Sequence, residues 1–175
     1  MHGRLQARCE AHPLRSLFRA TLSFQTTVSK VVNQIKSLLP QTHPCLVRYT
    51  HANGLTAWVV EMLRRYPTTE RLARARVDTL ASIAHVGRER AVSLVAEAKA
   101  TVGALAGKAA EAHMRALIAA YQSQQALADT QWAALLEDVQ DAPDYRRLCT
   151  ITGIGAKTAC EIGRASCRER VYTKV

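Results

Sequence analysis

Apolar positions along the chain recur with a helical rhythm. Leu14, Thr21, Val28 and Ile35 repeat every seven residues, as do Leu17, Phe24, Val31 and Leu38, and Phe18, Gln25, Val32 and Leu39. Interleaved heptads of this kind give one broad apolar stripe, suited to a coiled coil or a bundle, and predict a helix over Leu14–Leu39. Thr21 and Gln25 are weak points in it. Pro40 and Pro44 are expected to end it, because proline lacks the N–H that a helix interior needs. A second long helix is expected from Lys108 to about Gln140, where Met114, Leu117, Tyr121, Gln124, Ala128, Trp132, Leu135 and Val139 follow a spacing close to three and four.

Shorter helices lie between them. His51-Ala52-Asn53-Gly54 is a turn signal. Leu55–Tyr66 follows, with Trp58, Val59, Met62 and Leu63 on one face, and Pro67 stops it. Thr68 or Thr69 is placed to cap the next short helix, TERLARA. Val77–Ala84 and Arg88–Ala100 come next, joined at His85-Val86-Gly87, and Gly103–Gly107 forms a loose joint. Asp141-Ala142-Pro143-Asp144 breaks the second long helix and caps a short one over Tyr145–Thr150. Two long helices bracketing small ones fit either a helical hairpin arm or a bundle of four to six helices.

Composition agrees with helix. The 175 residues include 29 alanines and 18 leucines against 8 glycines and 5 prolines, an excess of helix formers that points to an all-α chain. The expected fold is an elongated all-α helical bundle with two long antiparallel, coiled-coil-like helices. No apolar run approaches the ~20 residues of a bilayer span. The start MHGRLQARCE lacks the apolar core of a signal peptide, so a cytoplasmic location is expected, without membrane association. The five cysteines are odd in number and show no C-x-x-C spacing, which fits reduced thiols. His43, Cys45 and His51 lie close in sequence without a second ligand pair, so no metal or other cofactor is expected in this chain.

The net charge is +10, and arginine outnumbers lysine, which suits bidentate phosphate contacts. A basic balance predicts affinity for polyanions, most often nucleic acid, although a solubilising surface gives the same count. The string Leu148-Cys-Thr-Ile-Thr-Gly-Ile-Gly-Ala-Lys-Thr-Ala159 locates that affinity. It lies between two helices and looks like a helix-hairpin-helix motif. Leu148 and Ile151 anchor the first helix, Gly153 and Gly155 turn the chain around a buried Ile154, and small Ala159 lets the helices approach. The amides opening the second helix, its dipole and Lys157 then form a phosphate site. Gly153, Gly155, Lys157 and Thr158 are its candidate residues. Thr152 stands where the usual pattern has proline. A plain glycine-containing connector is the competing reading. Residues 80–91 are a fainter copy: Leu80, Ile83, Val86, Gly87 and Ala91 align with Leu148, Ile151, Ile154, Gly155 and Ala159. Arg88 and Arg90 flank its turn as second candidates. His85 replaces the first glycine, which makes a left-handed backbone there less comfortable.

The order of these segments resembles the transposases of the one-ten insertion-sequence family, the bridge-RNA-guided recombinases. The likeness runs from about Leu14 to Ala159, through LLP, LRRYPTTERLARA, HVGRERAVSLVAEAKATVG and YRRLCTITGIGAKTA, with Tyr66-Pro67-Thr68 and Thr150–Ala159 its best markers. It implies an RNase-H-like domain with acidic metal ligands before residue 1 and a nucleophilic serine beyond the last residue. What is present would be the coiled-coil middle (14–140), after a frayed N-terminus (1–13), and the start of the C-terminal domain (141–160). It also implies DNA and a guide RNA as partners and self-association through the long helices. Both catalytic sets would be absent, so no strand cleavage is expected, and Ser166 is not assigned as the nucleophile. A divalent metal would belong only to the absent acidic domain. Glu161-Ile-Gly-Arg-Ala-Ser-Cys-Arg-Glu-Arg-Val171 resembles the translation of a sequencing-library adapter, so residues 161–175 are read as an artefact tail, or else as a genuine basic helix. Without that tail the chain keeps a net +8. Two further functions stay open, a stand-alone helix-hairpin-helix binding module and a structural coiled-coil protein without a polyanion partner.

Overall fold

The computed structural model describes residues 13–50, 54–101, 105–141 and 143–169. The expectations for residues 1–12, for the turn at 51–53, for Gly103, for Ala142 and for the tail at 170–175 lie outside them. The described residues are mainly helical, and no strand forms among them. The elements are α1 (Pro13–Thr42), a 3-10 turn (Pro44–Tyr49), α2 (Ala57–Arg65), α3 (Thr69–Ala73), α4 (Val77–Ala81), α5 (Gly87–Ala100), α6 (Lys108–Val139), α7 (Pro143–Cys149) and α8 (Ala156–Glu169). The chain divides into two compact units. One is Thr26–Gln125. The other joins Met1–Gln25 to Ala126–Val175. The long helices α1 and α6 each contribute to both.

The apolar stripe of α1 is the face it buries: Phe18, Val32, Ile35 and Leu39 are nearly inaccessible. Thr21 is fully buried as well. Its hydroxyl donates to the Leu17 carbonyl at 2.9 Å, so the polar atom is satisfied within the helix and its methyl packs. Pro40 does not end α1. It sits inside the last turn, where its ring removes one donor. The turn is held instead by the Thr42 hydroxyl donating to the Leu38 carbonyl at 3.1 Å and by the His43 N–H donating to the Leu39 carbonyl at 2.7 Å. The helix stops at His43, whose backbone leaves the helical region. The 3-10 turn that follows was not anticipated; it buries Cys45 and Leu46.

In the Thr26–Gln125 unit the core joins Ile35 and Leu39 of α1 with Leu46, Trp58, Val59, Met62 and Leu63, then Leu72, Leu80, Leu94, Met114 and Ile118. The expected face of α2 is the buried one, extended by Val60. Thr68 occupies the N-cap position of α3, but neither threonine caps it: Thr68 makes no capping bond, and the Thr69 hydroxyl donates to the Thr42 carbonyl. That bond ties α3 to the end of α1, so a tertiary acceptor has outcompeted the local amides. His43 strengthens the same junction. It is fully buried, and its Nε2–H donates to the Tyr66 carbonyl at 2.9 Å. Burial pushes its pKa down to about 4, against the smaller opposing pull of the Tyr66 and Thr68 backbone. The ring is therefore neutral at pH 7.

The other unit has a smaller core of Phe18, Trp132 and Leu135, joined by Leu17, Leu22, Val139 and Cys160. Phe18 meets Trp132 edge to face, with centroids 5.9 Å apart and planes at 88°, a favoured aromatic geometry. α4 is shorter than expected, ending at Ala81, and α7 begins at Pro143, where a missing N–H costs nothing. Among the described residues no helix is long and apolar enough to cross a membrane.

Candidate nucleic-acid interface

Two tight turns carry the candidate residues, one in each unit. In the α7–α8 turn the Ile151 N–H donates to the Leu148 carbonyl at 3.2 Å, and the Ile154 N–H to the Ile151 carbonyl at 3.0 Å. In the α4–α5 turn the Ile83 N–H donates to the Leu80 carbonyl at 3.0 Å, and the Val86 N–H to the Ile83 carbonyl at 3.1 Å. The two patterns are the same at aligned positions. One left-handed residue coincides too: Gly153 has φ +91° and His85 has φ +67°, whereas the upstream turn has a second at Gly87, φ +66°, that the aligned Gly155 does not share. Histidine therefore takes up the conformation it was expected to resist. Leu80, Ile83, Val86 and Ala91 are all buried, and that anchoring offsets a backbone cost of about 1–2 kcal/mol.

The side chains differ between the turns, against expectation. The upstream copy is the well-packed one. Downstream, Ile151 is 51% exposed, and Leu148 and Ile154 are only half-buried, so the first helix is not anchored as its sequence suggests. Ala159 is buried as expected. Only the first glycine of the downstream pair needs glycine's freedom. Gly155 is not left-handed, and a Cβ there would meet nothing within 4 Å.

Gly153, Gly155, Lys157 and Thr158 are brought together at the start of α8, all four exposed. α8 runs for 14 residues from Ala156, long enough for its first amides to carry the positive end of a helix dipole. The Lys157 ammonium lies 5.1 Å from the Trp132 ring centroid, a cation–π distance. It rests on an aromatic face rather than standing over the turn, and a ligand would have to draw it away.

Arg88 and Arg90 open α5. Arg88 reaches Asp78 at 3.0 Å, with both side chains more than three-quarters exposed, a contact that water and salt readily loosen. Arg90 donates to the His85 carbonyl at 2.8 Å, which pins it to the turn. Its guanidinium also lies 5.7 Å from the Tyr49 ring centroid and 5.4 Å from that of Trp58. The sequence had marked neither Tyr49 nor its neighbour Arg48. They stand on the unanticipated 3-10 turn, and their only local signal was a basic residue beside an aromatic one.

No group of three or more His, Cys, Asp or Glu side chains placed to hold a metal ion occurs among the described residues. Cys45, Cys149 and Cys160 are free thiols. Compared with known proteins, the chain matches no family model, no curated protein and no solved structure.

Proposed function

We propose that this chain binds nucleic acid by gripping its phosphate backbone at two hairpin turns of common design. The observation that carries this reading is the repeat itself. At two places the same pair of hydrogen bonds, with a left-handed residue at one aligned position, leads into a helix with arginine or lysine in its first turn. A helix start of this kind offers backbone N–H donors and a favourable dipole to an anion. Such contacts hold the backbone and carry little base information. The net charge of +10 favours the same partner.

The order of motifs supports a more specific proposal, a non-cleaving fragment of a transposase of the one-ten insertion-sequence family. Its partners would be DNA and a guide RNA, with self-association through α1 and α6. The stand-alone hairpin module gains support only on the reading that residues 161–175 are a genuine helix, since α8 continues into them as far as Glu169 and would then give the downstream hairpin a native second helix. The two separate by competition. A fragment shaped around guide RNA prefers structured RNA over mixed oligonucleotides, and a stand-alone module treats them alike.

Gly155→Val tests the phosphate grip. The site has room for a side chain and needs no left-handed backbone, so helicity measured by circular dichroism should be unchanged. A branched side chain beside the first amides of α8 should keep phosphate away. Charge-assisted hydrogen bonds contribute about 1.5–3 kcal/mol each, so affinity for a labelled 20-nucleotide strand should fall roughly tenfold or more. Unchanged affinity in a folded variant refutes the downstream site.

A further inference from the structure

Beside the upstream turn lies a surface in which two arginines are already ordered. The Arg48 guanidinium sits 4.8 Å from the Tyr49 ring centroid and donates to the Tyr49 hydroxyl at 2.9 Å. Arg90 approaches the same ring at 5.7 Å and Trp58 at 5.4 Å. Tyr49 and Trp58 brace each other edge to face, with centroids 5.0 Å apart. Trp58 is buried, whereas both arginines are exposed. Arginine stacked on aromatic faces loses less freedom when it forks onto a phosphate, and its plane also stacks on unpaired bases.

One carboxylate holds this surface closed. Arg48 donates to Glu97 at 2.5 Å, and the Ser93 hydroxyl donates to the same carboxylate oxygen at 2.8 Å. Partial burial works against the charged form of Glu97, but Ser93 and Arg48 hold its carboxyl below the usual range. At neutral pH the carboxylate therefore occupies the place on Arg48 that a phosphate oxygen would take.

We propose that Arg48, Tyr49 and Arg90 form a binding surface for single-stranded nucleic acid, with Glu97 as a competing anion that the incoming phosphate displaces. The inference rests on the nucleic-acid reading above. It adds a second contact beside the hairpin, a strand preference and a built-in competitor. Stacked guanidiniums favour a single strand, whose bases are free to stack and whose phosphates follow a flexible path.

The test is binding of a fluorescein-labelled 20-nucleotide oligothymidine to the full chain, titrated with salt. Glu97→Gln removes the competitor and keeps the side chain's shape, so affinity should rise several-fold. A gain of this kind cannot come from misfolding. Arg48→Gln removes one charged contact. It should weaken binding and flatten the log–log salt slope by about 0.7, the single-strand value for one phosphate. If both variants bind as the parent does while Gly155→Val loses affinity, this surface is not used and the hairpin reading stands. If the parent itself shows no salt-dependent binding, both fall together. Equal effects of Glu97→Gln on the oligothymidine and on a 20-base-pair duplex overturn the strand preference.

Discussion

At the scale of single residues, His43 is the most consequential buried group. It is neutral, fully enclosed and bonded to Tyr66, at the junction where α1 meets the segment leading to α3. Its pKa falls from 6.5 to about 4 on folding, so the unfolded chain binds the extra proton between those values. Stability is then complete above pH 6.5 and is lost as the pH falls toward 4, by about 3 kcal/mol. Urea unfolding at pH 5 should show about 2 kcal/mol of that loss relative to pH 7.5, and the difference should shrink in His43→Gln. A flat profile in the parent would contradict the burial. Leu63, fully enclosed in the same core, should lose about 2–5 kcal/mol on truncation to alanine, read as a lower midpoint at unchanged slope. The burial of Leu63 was plain from the apolar face of its helix, but that of His43 was not, because the sequence marked it only as a polar neighbour of Cys45 and His51. Spacing put Thr21 on the buried stripe, but as a weak point, because spacing alone does not show that its hydroxyl can bond Leu17 and leave the methyl to pack.

Among the elements, the α4–α5 turn departs furthest from its residues' preferences. His85 is left-handed without being glycine. His85→Gly should therefore stabilise the Thr26–Gln125 unit by about 0.5–1 kcal/mol, since relief of the left-handed cost exceeds the added chain entropy. A lower melting temperature in this variant would show that the side chain contributes packing that outweighs the strain. The turn's position was legible because Leu80, Ile83, Val86 and Ala91 carry the apolar spacing of the downstream copy. Its conformation was not, since local preference argued against it and burial of those four side chains prevailed. Pro40 and Thr69 were misread for a related reason. Each rule for ending or capping a helix counts only nearby donors and acceptors. Here the end of α1 is secured by Thr42 and His43, and Thr69 serves Thr42 rather than α3. Lys157 was expected over the α8 turn. Its place on Trp132 depends on an aromatic ring far away in sequence.

For the whole molecule, the all-helical architecture followed from alanine and leucine content and from two long periodic segments, and both appear as α1 and α6. The division into two units did not, because the stripe only weakens at Gln25 and a weak position does not break a helix: α1 and α6 both run on through the points where the units part. The candidate site was half legible. Glycine and arginine positions at the turns could be read directly, while the Arg48–Tyr49–Arg90 surface depends on a 3-10 turn that brings residues near 48 against α5. The proposal common to all of these features is that an excess of positive charge is organised at turns that accept phosphate. Its most direct test is the salt dependence of binding to a labelled 20-nucleotide strand, measured for the parent chain and for Gly155→Val. The account predicts a log–log line falling by about 0.7 for each phosphate neutralised, with the variant at least tenfold weaker and equally helical. Binding that is absent, indifferent to salt, or identical in the two proteins would contradict it.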